Sequence, residues 1–310
     1  MEKLAMNLPW HGGELKLKNP VLTASGTFGY GLEYMPYGSL AALGGFITKG
    51  LSLKPMQGNP TPRIAETPCG MLNAIGLQNR GVEHFIKHHL PKLPTGADAP
   101  TVIANIYAHN TADFATLAAT LAAAPEIAAL EVNISCPNVE SGGVLFGQSP
   151  QAAAKVTEAV KKAAPNLPVI IKLSPNVTDI TEIARACASA GADMISCINT
   201  LSGMAVSLET RKPLLANVTG GLSGPAIKPV ALRCVWQVAN AVNIPVIAVG
   251  GAASARDVLE FIMVGAWAVE IGTANFTSPD RAFKLPAEIA ELMEKLEIPS
   301  CESLRGSLKV

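Results

Sequence analysis

Eight short runs of apolar, mostly β-favouring residues recur along the chain: Val21–Ser25, Gly45–Lys49, Thr101–Ile106, Leu130–Ser135, Val169–Ser174, Asp193–Asn199, Val246–Gly250 and Ala268–Thr273. Most are continuous rather than alternating, the pattern of parallel strands buried on both faces. Helix-like stretches separate several of them: Ala112–Ala124, Gln151–Ala164, Thr178–Ala190, Pro229–Asn243 and Ser254–Val264. Ser149-Pro150 is a helix-start signal, and Thr178 and Ser254 suit N-cap positions. Pro168 and Pro245 fall at strand starts, where a missing N–H does least harm. Eight strands alternating with helices predict an α/β fold of the (β/α)8 TIM-barrel kind, with residues 1–310 as one domain. No Ser/Pro-rich linker or break in composition divides it.

Charge narrows the function classes. The 24 basic and 24 acidic residues cancel, which argues against a nucleic-acid surface and a polybasic membrane anchor. Met1–Trp10 lacks the apolar core of a signal peptide, and charged, Pro or Gly residues interrupt every apolar run short of spanning length. The six cysteines, Cys69, Cys136, Cys187, Cys197, Cys234 and Cys301, form no C-x-x-C pair and no iron–sulfur spacing. Scattered thiols fit a reducing compartment, so the expectation is a cytoplasmic protein with no metal site, no nucleic acid and no membrane.

In a barrel of this kind the C-terminal strand ends build the active site. Here they carry Ser25, Lys49, Asn105, Asn133 with Cys136, Lys172, Asn199-Thr200, Gly250-Gly251 and Gly272-Thr273. The enlarged segments Leu51–Pro100, Asn138–Gln148 and Leu201–Pro225 are the long loops that carry function in compact domains. The glycines ending the last two strands could cradle a phosphate, or simply make tight turns. No G-x-G-x-x-G or Walker A sequence occurs, so a mononucleotide fits better than a Rossmann-bound dinucleotide. Inward lysines at positions 49 and 172 need an anion or a reacting carbonyl. They leave two readings open, a Schiff-base lyase or charge stabilisation of a reduced flavin. Asn73, Asn133 and Asn199 suit a ligand with both amide donors and carbonyl acceptors, such as a cyclic imide or pyrimidine; Asx-turn chemistry is the plainer reading of any one of them. Cys136 could be a base, a nucleophile or a small buried residue. His84 and His88, spaced i,i+4 without a third ligand, read as a solvated helix face.

Three longer motifs carry a resemblance. Asn19-Pro-Val-Leu-Thr-Ala-Ser-Gly-Thr-Phe-Gly29 resembles the first-strand motif of class 1 dihydroorotate dehydrogenases. Gly58-Asn-Pro-Thr-Pro-Arg-Ile64 with Asn73-Ala-Ile-Gly-Leu-Gln-Asn79 resembles their substrate loop, and Asn133-Ile-Ser-Cys-Pro-Asn138 their catalytic motif. The resemblance covers nearly the whole chain. It implies oxidation of (S)-dihydroorotate to orotate in pyrimidine (UMP) biosynthesis, with Cys136 removing the C5 proton and the C6 hydride passing to N5 of one FMN per subunit. It implies that Asn73, Asn133, Asn138, Asn199 and Thr200 hold the orotate ring and carboxylate, with the backbone of Ala74, Ile75, Gly76 and Leu77 assisting. Lys49 would lie between flavin and substrate. Ser25, Gly50, Asn105, Asn133, Lys172, Ile198 and Gly224 would line FMN, and Gly250, Gly251, Gly272 and Thr273 would take its phosphate end.

Thr219-Gly-Gly-Leu-Ser-Gly-Pro-Ala-Ile-Lys-Pro229 and Ile75-Gly-Leu-Gln-Asn79 are most similar to the class 1B catalytic subunit. That resemblance implies NAD⁺ as final acceptor, reached through a partner subunit carrying FAD and a 2Fe–2S cluster, in a heterotetramer built on a homodimer of this chain. Arg80 stands where the family usually has proline and Ala252 where isoleucine is usual. Other readings are a fumarate-linked class 1A enzyme, a dihydropyrimidine-dehydrogenase-like reductase and a flavin-free Schiff-base lyase at Lys172 or Lys49.

Overall fold

The computed structural model describes residues 2–135 and 146–310. All eight expected strands form: β1 Val21–Thr23, β2 Gly45–Ile47, β3 Val102–Ile106, β4 Ile127–Asn133, β5 Val169–Leu173, β6 Met194–Cys197, β7 Val246–Val249 and β8 Ala268–Ile271. They pair in parallel, in chain order, and β8 closes on β1 through Val269–Val21, Glu270–Leu22 and Ile271–Thr23. Every residue of β1–β3 and β5–β8 is buried, which is why these strands read as unbroken apolar runs. Strand β4 starts three residues earlier than its apolar pattern predicts, because Ile127 pairs with Val102 across a register shift. The strand-start prolines still contribute their carbonyls: Leu130 N–H donates to Pro168 and Ile195 N–H to Pro245, both at 3.0 Å.

Helices α1 Val82–His88, α2 Thr111–Ala122, α3 Pro150–Ala163, α4 Ile180–Ser189, α5 Lys228–Ala239 and α6 Ala255–Met263 follow, with the short α7 Ala274–Thr277 and the long α8 Arg281–Lys295. Ser149 caps α3 by accepting from Ala152 N, ahead of Pro150. Ser254 and Asp257 form a reciprocal capping box on α6. The cap of α4 is Asp179, not Thr178: the Asp179 carboxylate accepts from both Thr181 N and Thr181 Oγ1 at 2.8 Å. No α-helix joins β1 to β2. Gly29, Gly31, Pro36 and Gly38 break that connection into the 3-10 turns Leu32–Tyr37 and Leu40–Ala42. Helix α8, from the far end of the chain, packs on β1 in place of the missing crossover helix.

Additional strands close the two ends of the barrel. The hairpin Met6–Trp10/Gly13–Leu17 buries alternate side chains, Met6, Leu8, Leu15 and Leu17, in the main core. Its tip lies at the N-terminal strand ends, where Asp193, just before β6, accepts from Lys161 Nζ at 2.6 Å and bonds His11 Nδ1 at 2.9 Å. At the other end, part of the enlarged segments after β2 and β6 forms one four-stranded antiparallel sheet. Its strands run in the order Leu201–Met204, Thr219–Ser223, Gly70–Asn73, Ile64–Thr67. The hairpin Val206–Ser207/Lys212–Pro213 extends from it.

Candidate active site

The crossing sheet ties two remote parts of the chain over the strand ends. Asn73 is register-paired with Gly221 and donates from Nδ2 to the Gly221 carbonyl at 3.3 Å. A Cβ on Gly221 would lie 2.0 Å from Thr200 Oγ1, so Thr200 packs directly on the same strand. Beside it, Asn199 Oδ1 accepts from Thr200 N at 2.9 Å, and Asn199 Nδ2 donates to Asn133 Oδ1 at 3.3 Å. Asn133 Oδ1 also accepts from Ser135 N at 3.1 Å. The expected amide cluster, Asn73, Asn133, Asn199 and Thr200, is therefore one contiguous group. Residues 73–77 are all partly exposed. Asn59 holds the loop from behind, since its N–H donates to Ile75 O and its Nδ2 to Ala74 O, both at 3.0 Å. Arg80, the first departure from the family pattern, is exposed, while the neighbouring Asn79 organises the turn through Ser52, Leu77 and Gly81. Ala252, the second, is buried.

The glycines form a second group. A Cβ on Gly250 would meet Ala231 at 2.7 Å and Ile198 at 3.4 Å, which places Gly250 against Ile198. Gly251 and Gly224 both have positive φ, and a Cβ on Gly251 would stand 2.8 Å from the Gly224 carbonyl. Only glycine fits that approach without strain. Thr273 lies next to Gly224 and donates through Oγ1 to Ser223 Oγ at 2.8 Å; Gly272 packs near Ala24, beside Ser25. Gly50 faces Asn105, whose Oδ1 would be 3.1 Å from a Cβ there. Asn105 is fully buried, yet its Oδ1 has no hydrogen-bond partner among the described residues. A buried acceptor left unpaired is costly and suits a donor from a ligand.

The two lysines part company. Burial and the Arg63 guanidinium push the Lys49 ammonium below the ordinary lysine range, with Glu33 opposing. Neither Lys49 nor Arg63 has an acidic salt-bridge partner among the described residues; the Arg63 guanidinium instead donates to Gln78 Oε1 at 2.6 Å and to the Asn59 carbonyl at 3.4 Å. Lys172 instead is enclosed in the barrel. Its Nζ lies 2.9 Å from Glu270 Oε2 and 3.3 Å from Glu131 Oε1. Burial alone would lower its pKa, but the two carboxyl groups outweigh that and raise it above the ordinary value. An amine must shed its proton to attack a carbonyl, so this pairing removes the Schiff-base reading at Lys172.

Glu131 and Glu270, which complete this triad, were missed by the sequence reading. Each is the single charged residue of its strand, and that lone carboxylate was the available signal. Glu131 is the better satisfied: Asn105 Nδ2 donates to it at 2.6 Å and Ser196 Oγ at 2.8 Å. Cys187 and Cys301 are pushed up to about 12 by burial, and burial also raises Cys197 well above the ordinary thiol range, so these thiols stay protonated. Cys136 and Asn138 lie outside the described residues. His84 and His88 stand on α1 with ring centroids 4.5 Å apart, and no metal-binding group of His, Cys, Asp and Glu occurs among the described residues.

A closed parallel barrel with an amide cluster, a glycine cradle and cations without salt bridges among the described residues at one mouth has the architecture of a barrel enzyme for a polar, anionic ligand. A profile of the dihydroorotate dehydrogenase family matches residues 10–293. The chain belongs to that family. It is 63% identical over 296 residues, 96% of each chain, to the "dihydroorotate dehydrogenase B (NAD(+)), catalytic subunit" of Solidesulfovibrio magneticus. Proteins of the same name from Maridesulfovibrio salexigens and Trichlorobacter lovleyi are 61% and 58% identical, again over 96% of this chain and 96% and 97% of theirs.

Proposed function

We propose that this chain oxidises (S)-dihydroorotate to orotate as the catalytic subunit of an NAD⁺-linked dihydroorotate dehydrogenase. The observation that carries this reading is the polar cluster of Asn73, Asn133, Asn199 and Thr200 together with the cations Lys49 and Arg63, which have no salt bridge among the described residues. Orotate presents ring N–H and C=O groups together with a carboxylate, and this set offers donors, acceptors and positive charge. The family match over nearly the whole chain supports it.

FMN fits the residues present. Asn105 Oδ1 would accept from a ring N–H, and Gly50 leaves that face open. Ser25, Lys172 and Ile198 would line the ring, and Gly224, Gly250, Gly251, Gly272 and Thr273 would surround its phosphate end. Bound FMN would supply the two-electron acceptor for the hydride leaving C6. Cys136 would take the C5 proton, with Asn138 on the substrate, and Lys49 would hold positive charge against the ring as negative charge develops. The electrons would continue to NAD⁺ through a partner subunit carrying FAD and a 2Fe–2S cluster. A cytoplasmic location belongs to this reading; among the described residues no helix is long and apolar enough to cross a membrane. Ile64, Met204, Val206, Leu208, Leu214 and Val218, on and beside the crossing sheet, are exposed and give a homodimer an apolar surface.

An anaerobic titration of the purified protein with L-dihydroorotate, followed by flavin absorbance, tests this. Bleaching with stoichiometric orotate is the expected result. A yellow protein that does not bleach would remove dihydroorotate as substrate, and a colourless one that does not take up FMN would remove the cofactor.

A further inference from the structure

The barrel interior holds two carboxyl groups and one ammonium. Glu131 is fully buried, Glu270 is 1% exposed and Lys172 5%. With both acids ionised, the triad would bury a net negative charge. The charged groups acting on Glu270 are Glu131 on β4 and Lys172 on β5, and the Cys197 thiol on β6 lies close enough to feel it. Among these no second cation restores the balance. An uncompensated charge in such surroundings is removed most cheaply by taking up a proton.

The hydrogen bonds identify which acid takes it. Glu131 receives Asn105 Nδ2 on Oε2, Ser196 Oγ on Oε1 and the Lys172 ammonium on both oxygens. Glu270 receives a donor, Lys172, on Oε2 alone, and no donor reaches its Oε1 among the described residues; its carboxyl also meets the Glu131 carboxyl within hydrogen-bond range, a contact that needs a proton on one of the two acids. A carboxylate that collects three donors is stabilised as an anion; one with a bare buried oxygen is not.

We propose that Glu270 is held as a neutral carboxylic acid, a positioning residue that leaves Lys172 balanced one-to-one by Glu131 beneath the cofactor site. The burial and hydrogen bonds carry the protonation state by themselves; its consequence rests on the flavin reading. An ionised Glu270 would place a net negative charge under a ring that must accept electrons, whereas the neutral acid does not oppose them.

Infrared spectroscopy of the purified protein, with and without carboxyl-¹³C glutamate labelling, tests the protonation state with or without flavin. The expected result is a protonated-carboxyl C=O band at neutral pH that shifts with the label and is absent in Glu270→Gln. In Glu270→Asp the remaining band should no longer respond to labelled glutamate, which keeps the assignment testable where the glutamine variant folds poorly. Absence of the band from the native protein, or its persistence in Glu270→Gln, would overturn the proposal. The flavin potential of the holoenzyme is the second readout. Glu270→Gln should match the native value at neutral pH; a distinctly higher potential in the variant would mean that a negative charge had been removed and that Glu270 was ionised.

Discussion

At the scale of single residues, the molecule places its polar groups according to whether the protein or a ligand completes them. Glu131 is completed by the protein, so Glu131→Gln should weaken the hydrogen bonds from Asn105 and Ser196 and hand Lys172 to an ionised Glu270, at a cost of about 1–3 kcal/mol in urea unfolding. Glu270 behaves oppositely. Burial first, then the Glu131 charge, raise its pKa well above 4.5. A group with a raised folded pKa contributes stability that is full below its unfolded pKa and is lost as pH rises toward the folded one. Above about pH 4.5, native stability should therefore fall relative to Glu270→Gln, by about 1.4 kcal/mol per pH unit at most. Parallel stability–pH curves for the two proteins would contradict this. Cys136→Ser should lower turnover at least a hundredfold while FMN stays bound, the scale of a lost catalytic base; near-native steady-state activity would remove that role.

At the scale of elements, caps and cross-ties hold the outer helices against the strand ends. Lys228 at the start of α5 pairs with Asp257 and Glu260 of α6, and Asp257 also closes the α6 capping box. Ser254→Ala should cost about 1 kcal/mol in thermal or urea unfolding, as N-cap losses do. For Asp257, burial opposes ionisation, but Lys228, the Ala253 N–H and Ser254 outweigh it and hold the pKa below 3.8. Its stabilisation is present above 3.8 and is lost as pH falls through the lower folded value. Melting curves of the native protein and Asp257→Asn should thus differ at neutral pH and converge in acid. Thr178 and Asp179 show how fine the sequence resolution is here. Both can cap, and the choice went to the carboxylate able to reach Thr181 N and Oγ1 together.

For the whole molecule, the decisive arrangement is that the mouth over the C-terminal strand ends is built by segments far apart in sequence. The strand containing Asn73 is paired with residues 221–223, and the loop that carries it is braced by Asn59. On the proposed function the electrons leave through an assembly larger than this chain, whose sequence carries no dinucleotide fingerprint and no cluster-spaced cysteines. Purified alone, the chain should reduce artificial dyes with dihydroorotate but leave NAD⁺ untouched. Addition of an electron-transfer subunit with FAD and a 2Fe–2S cluster should restore NAD⁺ reduction. Direct NAD⁺ reduction by the lone chain, or efficient fumarate reduction, would contradict the partner reading.

Residue type and spacing by themselves determined the barrel. Continuous apolar runs can be satisfied only by strands covered on both faces, and eight of them with helices between leave little choice but closure. They also determined the polar and glycine residues at the strand ends, because those positions follow directly from where each run stops. What the runs could not show is which side chains share a space across the barrel. Glu131 and Glu270 lie 139 positions apart, and only closure brings them to one ammonium, turning Lys172 from a free cation into the centre of a buried triad. The crossing sheet is likewise a tertiary outcome: antiparallel pairing between Gly70–Asn73 and Thr219–Ser223 leaves no periodicity in either segment, since strands of four and five residues at a partly exposed site carry no two-faced pattern.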